Sequence, residues 1–361
     1  MPAPDRSKFH SELLRWYEEN KREMPWRRTR DPYRIWISEI LLQQTRVDTV
    51  RARYESFLER FPTVRHLAEA RIAEVLLAWQ GLGYYGRARN LHRAARLITQ
   101  QYSGEIPQDP VTLQRLPGIG LYTARAIASI AFGKDVAVLD GNVMRVLCRV
   151  FRLQGDPRTT AARSRLQALA DDLLPKGKAS TFNQAMMELG ALVCRPARPL
   201  CSDCPLSPVC QAFRKKQVHA FPKKTPRKPL PTRLRVVAAA FHRSRILFVQ
   251  RPPEGLLGGL WELPGLYVNG GDTQDGFEKL KEMLRKVATL EAISTREPFS
   301  VDHVYTHFRE HLQVISCRGR PVASSSAMRQ AELFFQWIHP TQLSHFALTG
   351  ASRKILGQVL S

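Results

Sequence analysis

The sequence predicts two domains of different class: an all-helical one over residues 1–210 and an α+β one over residues 233–361. Three observations predict it. Apolar residues recur at helical spacing through the first part, at Leu13, Leu14 and Tyr17, at Trp36, Ile40, Leu41 and Val47, at Val75, Leu76 and Trp79, and at Leu91, Ala94 and Ile98. From Val236 the period shortens to that of strands. Between the two lies QAFRKKQVHAFPKKTPRKPLPT, residues 211–232, with four prolines, seven basic residues and no acid, the composition of a semi-rigid linker. A chain of 361 residues holds two domains of ordinary size, at roughly 100–200 residues each.

In the second part, VVAAAF (236–241), a polar turn HRSR and ILFVQ (246–250) read as a hairpin. A helix is expected near 277–287, and strands near 312–316 and 333–338. The apolar fraction, 43%, supports ordinary cores, and no run approaches the ~18 apolar residues of a membrane span. The N-terminus carries no signal-peptide pattern, so a cytoplasmic location is expected, beside the nucleoid in a bacterium.

Charge is the first functional clue. The 55 Lys and Arg against 32 Asp and Glu leave a net +23, spread as +11 over 1–210, +7 over 211–232 and +5 over 233–361. A basic surface throughout suits a long anionic track such as duplex nucleic acid better than it suits a localisation signal.

Four of the six cysteines fall in one window, Cys194-x6-Cys201-x2-Cys204-x5-Cys210. An intracellular setting disfavours disulfides, and structural zinc usually draws on two short knuckles where this loop has one. Four thiolates from a compact loop suit a [4Fe–4S] cubane, with zinc and unligated thiols as the alternatives. Cys148 and Cys317 read as core residues.

Residues 113–132, LQRLPGIGLYTARAIASIAF, read as two short helices around Pro117-Gly118-Ile119-Gly120. Glycines at 118 and 120 permit positive φ and let backbone amides, backed by a helix N-terminus, approach a phosphate. This is the helix-hairpin-helix pattern, although a tight turn without a ligand has the same form. Gly81-Leu-Gly83-Tyr-Tyr-Gly86 formally satisfies a dinucleotide fingerprint, but the preceding IAEVLLAW is helical where that motif requires a strand. A tyrosine pair on a glycine-rich turn instead suits stacking against unstacked bases.

Two acids stand out. Glu39 lies in WISEILLQQT among apolar neighbours, where burial would raise its pKa toward that of a general acid. Asp140 precedes an apolar helix in VLDGNV, a position equally suited to an N-cap.

Together, MPWR, SEILLQQTRV, GLGYYGRARNL, LPGIGLYTA, LDGNVMRVL, FNQAMMELGALVC and the four-cysteine loop resemble the MutY family of adenine DNA glycosylases, in the family's order over nearly the whole chain. The resemblance implies a helix-hairpin-helix glycosylase domain with an iron–sulfur loop, acting as a monomer on duplex DNA that holds adenine opposite 8-oxoguanine or guanine. It assigns adenine protonation to Glu39 and stabilisation of the oxocarbenium-like sugar to Asp140, with Tyr122 and Asn142 assisting. It places Gln44 and Tyr84 in the DNA stack, and Arg22, Trp26, Arg27, Leu42 and Gln184 around the adenine pocket. Related lyases carry a Schiff-base lysine two residues after LPGxG. Tyr122 stands there and cannot form one, which implies a monofunctional enzyme.

Residues 236–265 resemble the Nudix fold, but the hydrolase's metal-binding glutamates are missing after Gly265, so binding without hydrolysis is expected. By resemblance this domain reads 8-oxoguanine through a Phe-Ser-His loop, here Tyr305-Thr306-His307; Thr306 keeps the hydroxyl and adds a methyl. Two other readings remain. Tyr122 disfavours a bifunctional glycosylase/lyase. The pairing of Glu39 with Asp140 disfavours a noncatalytic iron–sulfur DNA-binding protein.

Overall fold

The computed structural model describes residues 5–360, apart from 224, 227–228, 269–271, 288–289, 295–296, 322–326 and 331–332. Its helices run in order α1 Arg6–Asn20, α2 Pro32–Leu42, α3 Val47–Arg60, α4 Val64–Glu69, α5 Ile72–Ala78, α6 Gly86–Gln101, α7 Pro110–Gln114, α8 Leu121–Phe132, α9 Gly141–Val150, α10 Thr160–Asp172, α11 Ala179–Leu192 and α12 Gln211–Arg214. The strands then follow as β1 Thr232–His242, β2 Arg245–Gln250, β3 Trp261–Glu262, β4 Gly265–Val268, β5 Leu290–Ser294, β6 Phe299–Val304, β7 Arg309–Pro321, β8 Ala327–Gln330 and β9 Leu333–Ile338. Helix α13, Thr273–Val287, lies between β4 and β5, and α14, Gly350–Val359, ends the chain. No helix among the described residues is long and apolar enough to cross a membrane.

The chain divides into two compact units, residues 1–69 with 90–227, and residues 70–89 with 228–361. In the first, α1, α2, α8, α9, α10 and α11 share one core that includes Phe9, Leu13, Ile35, Leu147, Phe182 and Leu189. Side chains fix where α1, α2, α7, α9 and α10 begin. Asp5, Asp31, Asp109, Asp140 and Thr159 each accept a backbone N–H of the first turn that follows, which satisfies donors a helix start leaves unpaired.

Part of the segment read as linker is folded. Helix α12 and a 3-10 turn at Val218–Ala220 bury Ala212, Val218 and Phe221, and Arg149 Nε donates to the Phe221 carbonyl at 3.0 Å. Those three apolar side chains among the lysines are the reason the linker expected at 211–232 begins only after Phe221.

The second unit is built on one mixed sheet, ordered β5-β7-β1-β2-β9-β8 among the described residues. β1 runs parallel to β7 and antiparallel to β2 and β4. The hairpin predicted at 236–250 is present, with Phe241 opposite Ile246 and His242 opposite Arg245. Alternation along β1 explains the uninterrupted apolar run. Val236, Ala238 and Ala240 pack with Phe277, Leu280 and Leu284 of α13, while Val237 and Ala239 pack on the other face with Ala351, Ile355 and Leu356 of α14. A central strand covered on both faces has no polar side to show. Cys148 and Cys317 are core residues, as their neighbours predict.

Candidate active site

Helix α2 is buried almost all round, since Tyr33 and every residue from Ile35 to Leu41 are buried. Glu39 sits within that run at 5% exposure, and its Oε2 has no hydrogen-bond partner. Burial raises its pKa to about 7. The Tyr122 hydroxyl and Arg27 pull against that rise, and the neighbouring Asp140 adds to it. Such a group is half protonated near neutrality, the condition a general acid requires.

Three further helices bring the other walls. At the start of α8, Tyr122 donates to Met187 Sδ at 3.2 Å; burial and the nearby Glu39 and Asp140 carboxyls hold its phenol far above its ordinary pKa. Asp140 is the N-cap of α9, accepting from Val143 N–H at 2.7 Å through Oδ1 and from Asn142 Nδ2 at 2.9 Å through Oδ2. The cap and the catalytic reading therefore describe the same residue. Burial raises its pKa, and those hydrogen bonds oppose the rise.

The cleft between these walls has a volume of about 660 Å³, within the ordinary size of ligand pockets. Glu39, Asp140, Tyr122 and Asn142 line it together with Arg22, Trp26, Arg27, Leu42, Gln44 and Gln184. Ten residues named from sequence thus meet in one cavity. Gln44 follows the end of α2 in the left-handed region, φ 57°, uncommon for a side chain larger than glycine and frequent at working sites.

Tyr84, Thr306 and His307 do not line this cleft. They belong to the second unit, where Thr306 Oγ1 donates to Tyr84 Oη at 2.6 Å and His307 is exposed. Tyr84 is 42% exposed with φ 47°. Its turn is held by Trp79 Nε1 donating to the Gly83 carbonyl at 3.0 Å and by Arg87 donating to the Leu82 carbonyl at 2.9 Å. The two hairpin glycines differ. Gly118 has φ 78°, and a Cβ there would lie 2.8 Å from Asn90 Cβ, so the position demands glycine. Gly120 is extended, not left-handed, because it is the N-cap of α8; a Cβ there would meet nothing within 4 Å, which leaves the helix N-terminus open to approach.

Cys194, Cys201, Cys204 and Cys210 line one small cavity whose other walls include Val146, Val150, Leu189 and Leu206. All four are free thiols, and burial pushes Cys204 up to about 12. Arg149 Nη1 donates to Cys194 Sγ at 3.3 Å. Among the described residues no three His, Cys, Asp or Glu side chains come close enough to share one metal ion. Arg145 joins this loop to the cleft, donating to the Cys194 carbonyl at 2.7 Å, to Asn142 Oδ1 at 2.8 Å and to the Gly190 carbonyl at 2.7 Å.

Residues 37–171 match the family model of the HhH-GPD superfamily base excision DNA repair proteins, and residues 236–358 match a NUDIX domain. The adenine DNA glycosylase of Mus musculus is 35% identical over 97% of this chain and 78% of its own length. The chain belongs to the adenine DNA glycosylase family. The Homo sapiens member is 35% identical over 96% of this chain and 73% of its own, and a Buchnera aphidicola member is 29% identical over 96% of each. Among solved structures, a thermostable thymine-DNA glycosylase aligns with TM-score 0.55 and 33% identity over 58% of this chain and 97% of its own. An endonuclease III–DNA complex, at 23% identity and TM-score 0.51 over 59% of this chain and 98% of its own, shares the fold. The family makes this chain a DNA N-glycosylase of base excision repair.

Sequence reasoning missed Glu188, Met187, Gln43 and Arg163 in the cleft, and Arg145 behind it. Glu188 carried the same signal as Glu39, a lone carboxylate in an apolar helix.

The Glu39 pKa has a consequence for stability. Its folded value lies above its unfolded value, so as pH rises from 4.5 to 7 the unfolded chain ionises where the folded one stays protonated. Folding is therefore weakened over that window by up to about 3 kcal/mol. Glu39→Gln should melt at a higher temperature than wild type at pH 8, and the gap should close at pH 4.5. Equal gaps at both pH values in paired thermal melts would contradict the burial of an ionisable acid here.

Proposed function

We propose that this enzyme removes adenine mispaired with 8-oxoguanine or guanine from duplex DNA, by a monofunctional hydrolytic route. The observation that carries the reading is Glu39, a buried carboxyl with an unpartnered oxygen and a pKa of about 7, lining the same cleft as Asp140.

Adenine must first leave the duplex stack. Gln44 and Tyr84, both with positive φ, support the reading as groups that enter the space it leaves, and the amides at Gly118 and Gly120 as its phosphate grip. Glu39 donates its proton to a ring nitrogen of adenine, and the N-glycosidic electron pair leaves with the base. The sugar is left cationic, and Asp140 stabilises it as an adjacent carboxylate, as the second carboxylate does in retaining glycosidases. Water then adds at the anomeric carbon and loses a proton. Asn142 holds Asp140 through Oδ2, and Tyr122 lies between the two carboxyl groups in charge terms, feeling both. Tyr122 offers no amine, so no Schiff base forms at this position.

The cysteine loop would hold a [4Fe–4S] cluster through Cys194, Cys201, Cys204 and Cys210, which would tie the end of α11 to the start of α12 and stand as a charged centre within the loop. In the second unit, Thr306 and His307 are exposed at the tip between β6 and β7, where they would meet the base opposite adenine.

Glu39→Gln should lower single-turnover excision by about 10²–10⁴-fold while duplex binding persists, because the amide keeps the shape and loses the proton. Excision within tenfold of wild type would remove Glu39 from the role. Purified protein should be brown and carry about four irons per chain; one zinc and no colour would refute the cluster. The doubly substituted Thr306→Ala, His307→Ala protein should lose about ten- to a hundredfold of its preference for adenine opposite 8-oxoguanine over adenine opposite guanine, the worth of one or two base-edge hydrogen bonds. The check is a pair of excision rates at one salt concentration, and an unchanged ratio would show that the tip does not read the lesion.

A further inference from the structure

On the wall of the cleft, α11 presents a carboxylate the proposed reaction does not use. The Glu188 side chain is 1% exposed, and both its oxygens are taken. Oε1 accepts from Arg22 N–H at 2.9 Å, from Arg22 Nε at 2.8 Å and from Arg27 Nη1 at 3.1 Å; Oε2 accepts from Arg22 Nη2 and Arg27 Nη2, each at 2.8 Å. Arg27 Nη1 also donates to the Arg22 carbonyl at 2.9 Å, so one carboxylate closes the loop between α1 and the 3-10 turn Pro25–Arg27 onto α11. All three residues line the cleft with Glu39.

We propose that Glu188 is a positioning residue of the adenine pocket, holding the Arg22 and Arg27 guanidinium groups in place and offsetting their positive charge at Glu39. The proposal rests on the reading of Glu39 as the acid. A guanidinium group near an acid that must stay protonated favours its ionised, useless form. Arg27 does lower the Glu39 pKa, while burial and Asp140 raise it. One buried carboxylate between the two arginines reduces their combined charge by one without removing their hydrogen-bonding edges, since each guanidinium has five N–H groups and only some face Glu188. The bonds to Arg22 and Arg27 outweigh the effect of burial and pull Glu188 down to about 2, so it is ionised throughout the working range.

Other charged and titratable groups around the pair are Tyr17, whose ring lies 5.7 Å from the Arg27 guanidinium, with Lys21 and Glu18 on the same helix, and Asp48, which acts on Arg22. Around Glu39 they are Tyr122, Asp140 and Arg27. None of these takes the place of the Glu188 charge between the two guanidinium groups.

The test is the pH profile of single-turnover adenine excision at saturating duplex, from pH 5 to 9. Wild type should lose rate as pH rises through about 7. Glu188→Gln should move that alkaline limb to lower pH by about half a unit to one unit, a three- to tenfold loss of rate above it. Glu188→Asp keeps the charge and should keep the limb in place while lowering the plateau. Arg27→Gln removes one positive charge and should move the limb upward, which tests the proposal even where Glu188→Gln fails to fold. A folded Glu188→Gln protein with an unmoved limb would overturn the proposal alone. A wild-type profile with no limb near 7 would overturn the Glu39 reading and the proposal with it.

Discussion

The acidity that the first unit brings to its cleft depends on keeping one carboxyl group out of water. Glu39 lies on a helix buried on nearly every side, with one oxygen unpartnered. A buried polar atom without a partner destabilises a fold by roughly 1–3 kcal/mol, so it persists only where the surroundings leave the side chain no other course. Here they do. The residues before and after it, Ile35, Trp36, Ile37, Ile40 and Leu41, are each at most 2% exposed and cannot turn outward without opening the core. The apolar stripe that folds α2 is therefore also what sets the acidity of Glu39.

Charge is balanced around that acid by position. Asp140, committed to the cap of α9, opposes ionisation of Glu39; Arg27, committed to Glu188, favours it. Each of these groups is tied to a structural duty that fixes its distance from Glu39, so the acidity cannot drift with a rotamer. The same economy extends to the cysteine loop. Arg145 binds Asn142 on one side and the Cys194 carbonyl on the other, and Arg149, 2% exposed, reaches the Cys194 sulfur and the carbonyls of Arg195, Pro196 and Phe221. Both arginines stand on α9, the helix that Asp140 begins, so a disturbed loop would be felt at the cap through one rigid element.

What the sequence could disclose follows from range. The helices that carry Glu39 and Tyr122, and the one that Asp140 precedes, show themselves in local pattern, and so does the hairpin at 236–250. Of the ten cleft residues only Glu39 and Asp140 stand out by their own surroundings; the other eight follow from the family resemblance, since no local spacing says which loops and helices will meet. Glu188 was hidden among apolar neighbours until the fold brought Arg22 and Arg27 to it from 166 and 161 residues away. The grouping of residues 70–89 with the second unit rests on contacts such as Arg89 Nη1 to the Gly258 carbonyl at 2.8 Å, which no local pattern encodes. Helix α14 went unread because it brings just Ala351, Ile355, Leu356 and the partly buried Val359 to the core cluster, too short a stripe to stand out. The start of the linker was misplaced because lysines outnumber the three apolar residues that fold it.

The second unit shows how a fold can keep its frame while its charges change employment. Glu262, the acid of the LWELPG turn, is 6% exposed and accepts from Arg235 at 3.1 and 2.7 Å and from Arg251 at 2.8 Å. A divalent cation needs carboxylate oxygens that are free to coordinate it, and those of Glu262 are shared between two guanidinium groups. Removing Glu262 would leave the buried Arg235 charge without this partner, which is far more damaging than never having the pair. The network is therefore structural, and its neighbours show what it supports. Arg235 stands opposite Tyr267 in the β1–β4 ladder, Tyr267 Oη donates to Glu310 at 2.6 Å, and Glu310 is the second residue of β7, the strand that leaves the 305–308 tip. At that tip the Tyr305 N–H donates to the Phe308 carbonyl at 2.9 Å, and the two rings pack 4.7 Å apart. Phe308 is buried, so the turn is anchored from beneath and only Thr306 and His307 project from it. The buried ion pair ties β1 to β3, and the ladders beside it lead to the turn whose two side chains face outward.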